Sequence, residues 1–201
     1  MGSEIQDKIF TVLSLSPRFG PRLSTSDADI SSSSLLTIVD GSYVGPSSCD
    51  GFTSSLGSGQ NVLSYTYYTP WRTSGSRYND NGRPSDGSAA RYAELLLYLA
   101  STIANLYPAW RMRIYHNVTD DQPNVLQRLC KLYCDYDHVD LCDTRSLPTV
   151  GDLNEKFPVG RFWRFQVLGD PTVRKFASRD VDSWILPRER LAVLDWERDE
   201  R

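Results

Sequence analysis

Residues 89–142 read AARYAELLLYLASTIANLYPAWRMRIYHNVTDDQPNVLQRLCKLYCDYDHVDLC, and their hydrophobic period changes three times. Tyr92, Leu95, Leu96, Leu99, Ile103 and Leu106 recur at spacings of three and four, which predicts a helix over 89–106 ended by Pro108. Arg111–Asn117 (RMRIYHN) then alternates, with Met112 and Ile114 on one face, as a strand does. Pro123 stands where a helix begins, and Val125, Leu126, Leu129 and Leu132 continue it. His138–Cys142 (HVDLC) is a short strand.

The same alternation extends in both directions. Asn61–Tyr68 (NVLSYTYY) is a strand by its tyrosine and valine content. A polar stretch over 69–88, with Gly75, Gly82, Gly87, Pro70 and Pro84, reads as a long loop. Leu35–Val39 is a short β-branched run closed by Asp40-Gly41, and residues 44–60 read as Gly/Ser/Pro loop. Residues 1–34 form a Ser-rich tail that cannot bury enough surface to order itself, leaving 35–201 as the folded domain. Downstream, 159–168 is expected to be helical, 173–178 a strand, and Pro187 opens a last helix with Leu191, Val193, Leu194 and Trp196 as apolar positions. Strands alternating with helices predict an α/β domain with a mainly parallel sheet flanked by helices. Ligands in such sheets bind beyond the carboxyl ends of the strands, where Tyr65–Trp71, Asn117–Asp121 and Asp143 would lie.

Composition narrows the function. The chain has 201 residues, 40% hydrophobic and 23% charged, which suits one packed domain. A net charge of -3 leaves no electrostatic footprint for general nucleic-acid binding. No apolar run is long enough for a membrane-spanning helix, and the opening MGSEIQDKIFTVLSLSPRF is too acidic and broken for a signal peptide. The expectation is a cytosolic protein, or one whose targeting segment lies outside this chain.

One motif carries chemistry. Asp180-Val181-Asp182 directly follows the strand expected at 173–178. With 19 Asp in the chain, chance supplies about 1.8 Asp-x-Asp pairs. Asp27/Asp29 falls in the tail and Asp135/Asp137 at a helix end, so only the third leaves a strand. Two carboxylates so placed can hold one hard divalent cation and keep positions open for a diphosphate. The plain alternative is a charged turn.

Around this motif the chain resembles a poorly characterised group of animal and bacterial proteins with a GT-A glycosyltransferase-like fold. The resemblance is carried by FWRFQVLGDPTVRKFASRDVDSWILPRERLAVLDW (162–196), TIVDGSYVG (37–45), LSYTYYTPW (63–71) and LYPAWRMRIYHN (106–117). It implies a metal-dependent transferase using Mn²⁺ or Mg²⁺, with a UDP- or GDP-sugar donor and an unknown glycan or protein acceptor. Asp180 and Asp182 would contact metal and diphosphate, Tyr65 and Tyr67 would lie near the base, and Arg164 would pair with a phosphate or with Asp180. The plain alternatives are core packing for the two tyrosines and a helix-surface charge for Arg164. GT-A enzymes continue past this point, so a chain ending at Arg201 is expected to be the donor half, truncated at its carboxyl end. Two other readings stand beside it. One is a non-catalytic relic or binding module. The other is a haloacid-dehalogenase-type phosphatase, which the late position of the motif disfavours. The resemblance also implies the secretory pathway or Golgi.

Cys130, Cys134, His138 and Cys142 recur every four residues, but a helix drifts about 40° per such step and would spread them too widely for zinc. A Cys134–Cys142 disulfide is the better candidate in an oxidising compartment, against four reduced thiols. Asn117-Val118-Thr119 is a glycosylation sequon if the chain is secreted. His116 and His138 have no carboxylate partner in sequence, and no Ser/His/Asp set can be assembled.

Overall fold

The computed structural model describes residues 37–39, 42–68 and 86–198. The chain divides into two units, 1–45 and 46–201. In the first, β1 (Thr37–Val39) pairs antiparallel with β2 (Ser42–Val44), with Val39 opposite Ser42. The turn expected at Asp40-Gly41 and the Ser-rich tail lie outside the described residues.

The second unit is an α/β layer structure. In chain order it contains α1 (Gly51–Ser55), β3 (Gln60–Tyr67), α2 (Asp86–Leu106), β4 (Trp110–His116) and α3 (Pro123–Asp135). These are followed by β5 (Val139–Asp143), α4 (Leu153–Lys156), a 3-10 helix (Gly160–Gly169), β6 (Val173–Ser178) and α5 (Pro187–Arg198). The four strands β3–β6 form an all-parallel sheet in the order β5-β4-β3-β6. Successive strands therefore step outward from β3 to β4 to β5, and the chain then returns to place β6 on the other side of β3. The order reverses between β3 and β6, which makes that pair the topological switch point of the sheet.

The sheet faces differ in chemistry because side chains alternate along each strand. One face presents Leu63, Tyr65, Met112, Ile114 and Val139, and α2 and α3 cover it through Leu96, Leu99, Ile103, Leu129 and Leu132. The helical spacing of α2 puts its buried residues on one stripe, while Tyr92 is exposed. The opposite face carries Ser64, Arg113, Tyr115 and Cys142 beneath the 3-10 helix, whose Trp163 and Val167 are buried. Residues 160–169 are helical, as expected, and wind more tightly than an α-helix.

Two expectations change. The stretch 44–60 holds α1, nucleated by a local capping box: Asp50 Oδ1 accepts from Thr53 N at 2.7 Å, and Asp50 N donates back to Thr53 Oγ1 at 3.1 Å. Helix α5 buries none of its residues fully, and its expected apolar positions Leu191 and Trp196 are exposed. Val193 packs against the core, and polar contacts do the rest. Arg179 pairs with Glu189, Tyr107 Oη donates to Glu189 at 3.3 Å, and the Arg190 guanidinium lies 4.8 Å from the Tyr107 ring centre.

Candidate functional site

The carboxyl edge at the β3–β6 switch point is built by three segments. Strand β3 runs parallel to β6 with Ser64 beside Ser178, and Arg179 N extends the ladder by donating to Ser64 O at 2.9 Å. The 3-10 helix crosses above this point, tied down because Ser64 Oγ donates to Arg164 O at 2.7 Å. From there the Arg164 guanidinium reaches Arg179 O at 3.3 Å and the Asp180 carboxylate. Of the two roles expected for Arg164, the pairing with Asp180 is the one this structure contains.

The turn after β6 is anchored by apolar groups. Val181 and Ile185 enter the core on the α2 face. Trp184 stays exposed but packs edge-on against Tyr98, with ring centres 5.0 Å apart. Asp180 and Asp182 flank the buried Val181, and both are exposed. Their neighbours lie on opposite faces of the sheet. Asp180 is drawn to Arg164 on the 3-10 side, whereas Asp182 borders a small pocket with Leu95, Tyr98 and Leu99 of α2. That pocket has about 10 Å³ of space, enough for one water molecule. Two exposed carboxylates are a donor set suited to Mn²⁺ or Mg²⁺. Joint ligation requires Asp180 to leave Arg164 and the two carboxylates, which now face opposite sides of the sheet, to turn toward each other. Among the described residues, no cluster of three or more His, Cys, Asp or Glu side chains is placed to hold a metal.

Tyr65 and Tyr67 are core residues, 0% and 4% exposed, on the face covered by α2. Alternation explains this, since odd-numbered residues of β3 share the apolar face. Burial raises both phenols, Tyr67 to about 12, so neither ionises near neutral pH. The base contact expected of these side chains is corrected to core packing. The next residue, Tyr68, is 42% exposed, and its ring lies edge-on to Trp163. It also lies over Gly160, where an added Cβ would come within 2.4 Å of Tyr68 Cγ. Exposed Phe162 and Phe165 follow on the 3-10 helix, with Arg161 and Arg164 stacked on them.

The disulfide pairing is also corrected. Cys142 bonds to Cys49, while Cys130 and Cys134 are free. Cys134 sits on α3 above the Leu141 face, and Cys142, one residue on, points to the opposite face. No rotamer bridges a sheet. The break between α3 and β5 also dissolves the four-residue repeat that suggested zinc. Asn117 follows β4 at the carboxyl edge, and the sequon's Thr119 hydroxyl donates to Asp121 Oδ1.

Sequence reasoning missed a buried ionic cluster beneath the 3-10 helix. Arg113, fully buried, donates to Asp170 Oδ2 at 2.7 Å and to Gln60 Oε1 at 2.9 Å, with Asp140 Oδ2 at 3.5 Å from its Nε. Asp170 also accepts from Ser47 Oγ, Ser48 N and Thr172. Burial works to raise the Asp170 pKa, but Arg113 and these hydrogen bonds outweigh it and hold the carboxyl below its usual value. The signal was present: Arg111 and Arg113 alternate within an otherwise buried strand. No family model, curated protein or solved structure matches the chain.

Proposed function

We propose that this chain is a glycosyltransferase-like domain that binds a nucleotide-sugar at the carboxyl edge between β3 and β6, and passes the sugar to a glycan or protein acceptor. One observation carries the reading. The Asp180-Val181-Asp182 turn leaves β6 beside β3, at the single place where the strand order reverses and where open α/β sheets bind nucleotides. A divalent cation, when bound, neutralises charge on the leaving diphosphate. Asp182, exposed and without an ion pair among the described residues, offers it the first carboxylate. Asp180 joins once Arg164 turns to the phosphate, for which its fork of donors is suited.

A second reading, a binding module without transfer, is favoured by the occupied state of Asp180, whose carboxylate is already paired with Arg164. Thermal melting of the full chain tests the first step. Mn²⁺ with UDP or GDP should raise the midpoint, and Asp182→Ala should abolish the rise. No shift with any nucleoside diphosphate would remove the nucleotide reading. A shift without release of sugar from any UDP- or GDP-sugar supports the binding module.

A further inference from the structure

On the 3-10 face of the switch point, three buried polar atoms lack a hydrogen-bond partner among the described residues: Thr66 Oγ1, Ser178 Oγ and Arg164 Nε. Buried polar atoms are nearly always partnered, so orphans gathered at one place ask for an explanation. These three share a location. Ser178 lies beside Ser64 in register, Thr66 is the next residue of β3 on that same face, and Arg164 is held over Ser64 by its own carbonyl. Thr66 is only 9% exposed, so bulk water does not satisfy its hydroxyl. Every group in the set can donate a hydrogen bond, and the guanidinium adds positive charge. Such a set selects an anion and repels a cation.

We infer that Thr66, Ser178 and Arg164 form an anion subsite at the carboxyl ends of β3 and β6 that takes phosphoryl oxygens, with Asp180 holding Arg164 in their absence. The inference deepens the proposed function and rests on the same edge of the sheet, but it needs no metal. Asp180 is a weak occupant because its side chain is 61% exposed, and water screens the pair. A phosphoryl group offers more charge and several acceptor oxygens, so it displaces the carboxylate. The freed Asp180 then becomes available as an oxygen ligand, and anion binding here would precede cation binding beside it.

The test is calorimetric titration of the full chain with inorganic pyrophosphate in buffer containing EDTA. The wild type should bind. Thr66→Val keeps the side-chain volume but removes the hydroxyl, and should weaken binding about tenfold. Ser178→Ala, on an edge strand where folding is safest, should do the same. Arg164→Gln should abolish detectable binding. Asp180→Asn should tighten it, since the competing charge is gone. Absence of pyrophosphate binding by the wild type overturns the inference. So do Thr66→Val and Ser178→Ala affinities both within twofold of wild type, or weaker binding by Asp180→Asn. If pyrophosphate binds with this pattern while Mn²⁺ and UDP or GDP leave the melting point unmoved, the subsite stands and the nucleotide-sugar reading falls.

Discussion

Arg113 and Asp170 meet at 2.7 Å with both side chains fully buried, joining β4 to the loop that leads into β6. The pair pins the switch-point strand to the sheet from below. Asp170 also ties β4 to the segment before α1, because Ser47 and Ser48 donate to it, while Thr172 donates from its own turn. Removing one partner leaves an uncompensated charge in a dry interior, which costs about 3–5 kcal/mol. Asp170→Ala should lower stability by that amount in urea unfolding. Asp180→Ala, which breaks an exposed pair, should change it by under about 1 kcal/mol. Equal effects would show that the buried cluster contributes nothing special.

Cys49 and Cys142 close a sequence separation of 93 residues. On the chain-entropy account, a loop of that length removes about 4–5 kcal/mol of freedom from the unfolded state. Cys49→Ser should therefore cost about 2–5 kcal/mol, the range found for native bridges. Thiol counting checks the pairing directly. The denatured, unreduced protein should expose two free thiols, and peptide mapping should place them at Cys130 and Cys134. Free thiols at Cys49 and Cys130 would restore the pairing expected from sequence. An intact bridge also requires folding under oxidising conditions.

The contrast between these two features shows what the sequence makes legible. Strands β3 to β6 and the helices α2 and α3 were readable, because burial against a sheet imposes a period on every residue of an element, whereas the short α4 (Leu153–Lys156) carries no such period. Residues 173–178 end where expected, and Pro187 begins the last helix. Side-chain direction at single positions was less accessible. The aromatic character of Tyr65 and Tyr67 suits a ligand and a core equally, and only the face of β3 decides between them. Cys49 precedes β3 in a Gly/Ser-rich stretch with no period at all, so its partner is set by tertiary placement alone. The Asp180–Arg164 pair is one of two partnerships the residue types allow, since a guanidinium donates equally well to a carboxylate or a phosphate. The anion subsite escaped notice because serine and threonine in a strand look like ordinary β-formers until their hydroxyls are found without partners.

His116, the last residue of β4, is 8% exposed, and its Nδ1 accepts from Val118 N at 3.3 Å. Burial lowers its pKa to about 4; Asp143 opposes that shift and Arg145 assists it. The sign follows from proton counting. Between the unfolded value of about 6.5 and the folded value of about 4, the unfolded chain binds a proton that the folded chain refuses. Stability is therefore full above about pH 6.5 and declines as pH falls toward 4, by up to about 3 kcal/mol from this residue. His138 is also lowered by burial and acts in the same direction, whereas the depressed carboxyls of Asp143 and Asp170 lose their contribution at lower pH. Urea midpoints measured from pH 7.5 to 4.5 should fall for the wild type. His116→Asn, which retains a polar side chain but cannot take up the proton, should flatten most of that decline while leaving the high-pH midpoint lower or equal. A variant slope as steep as wild type would transfer the effect to His138, whose ring contacts Ala100 O at 3.1 Å, and would show that the end of β4 tolerates charge.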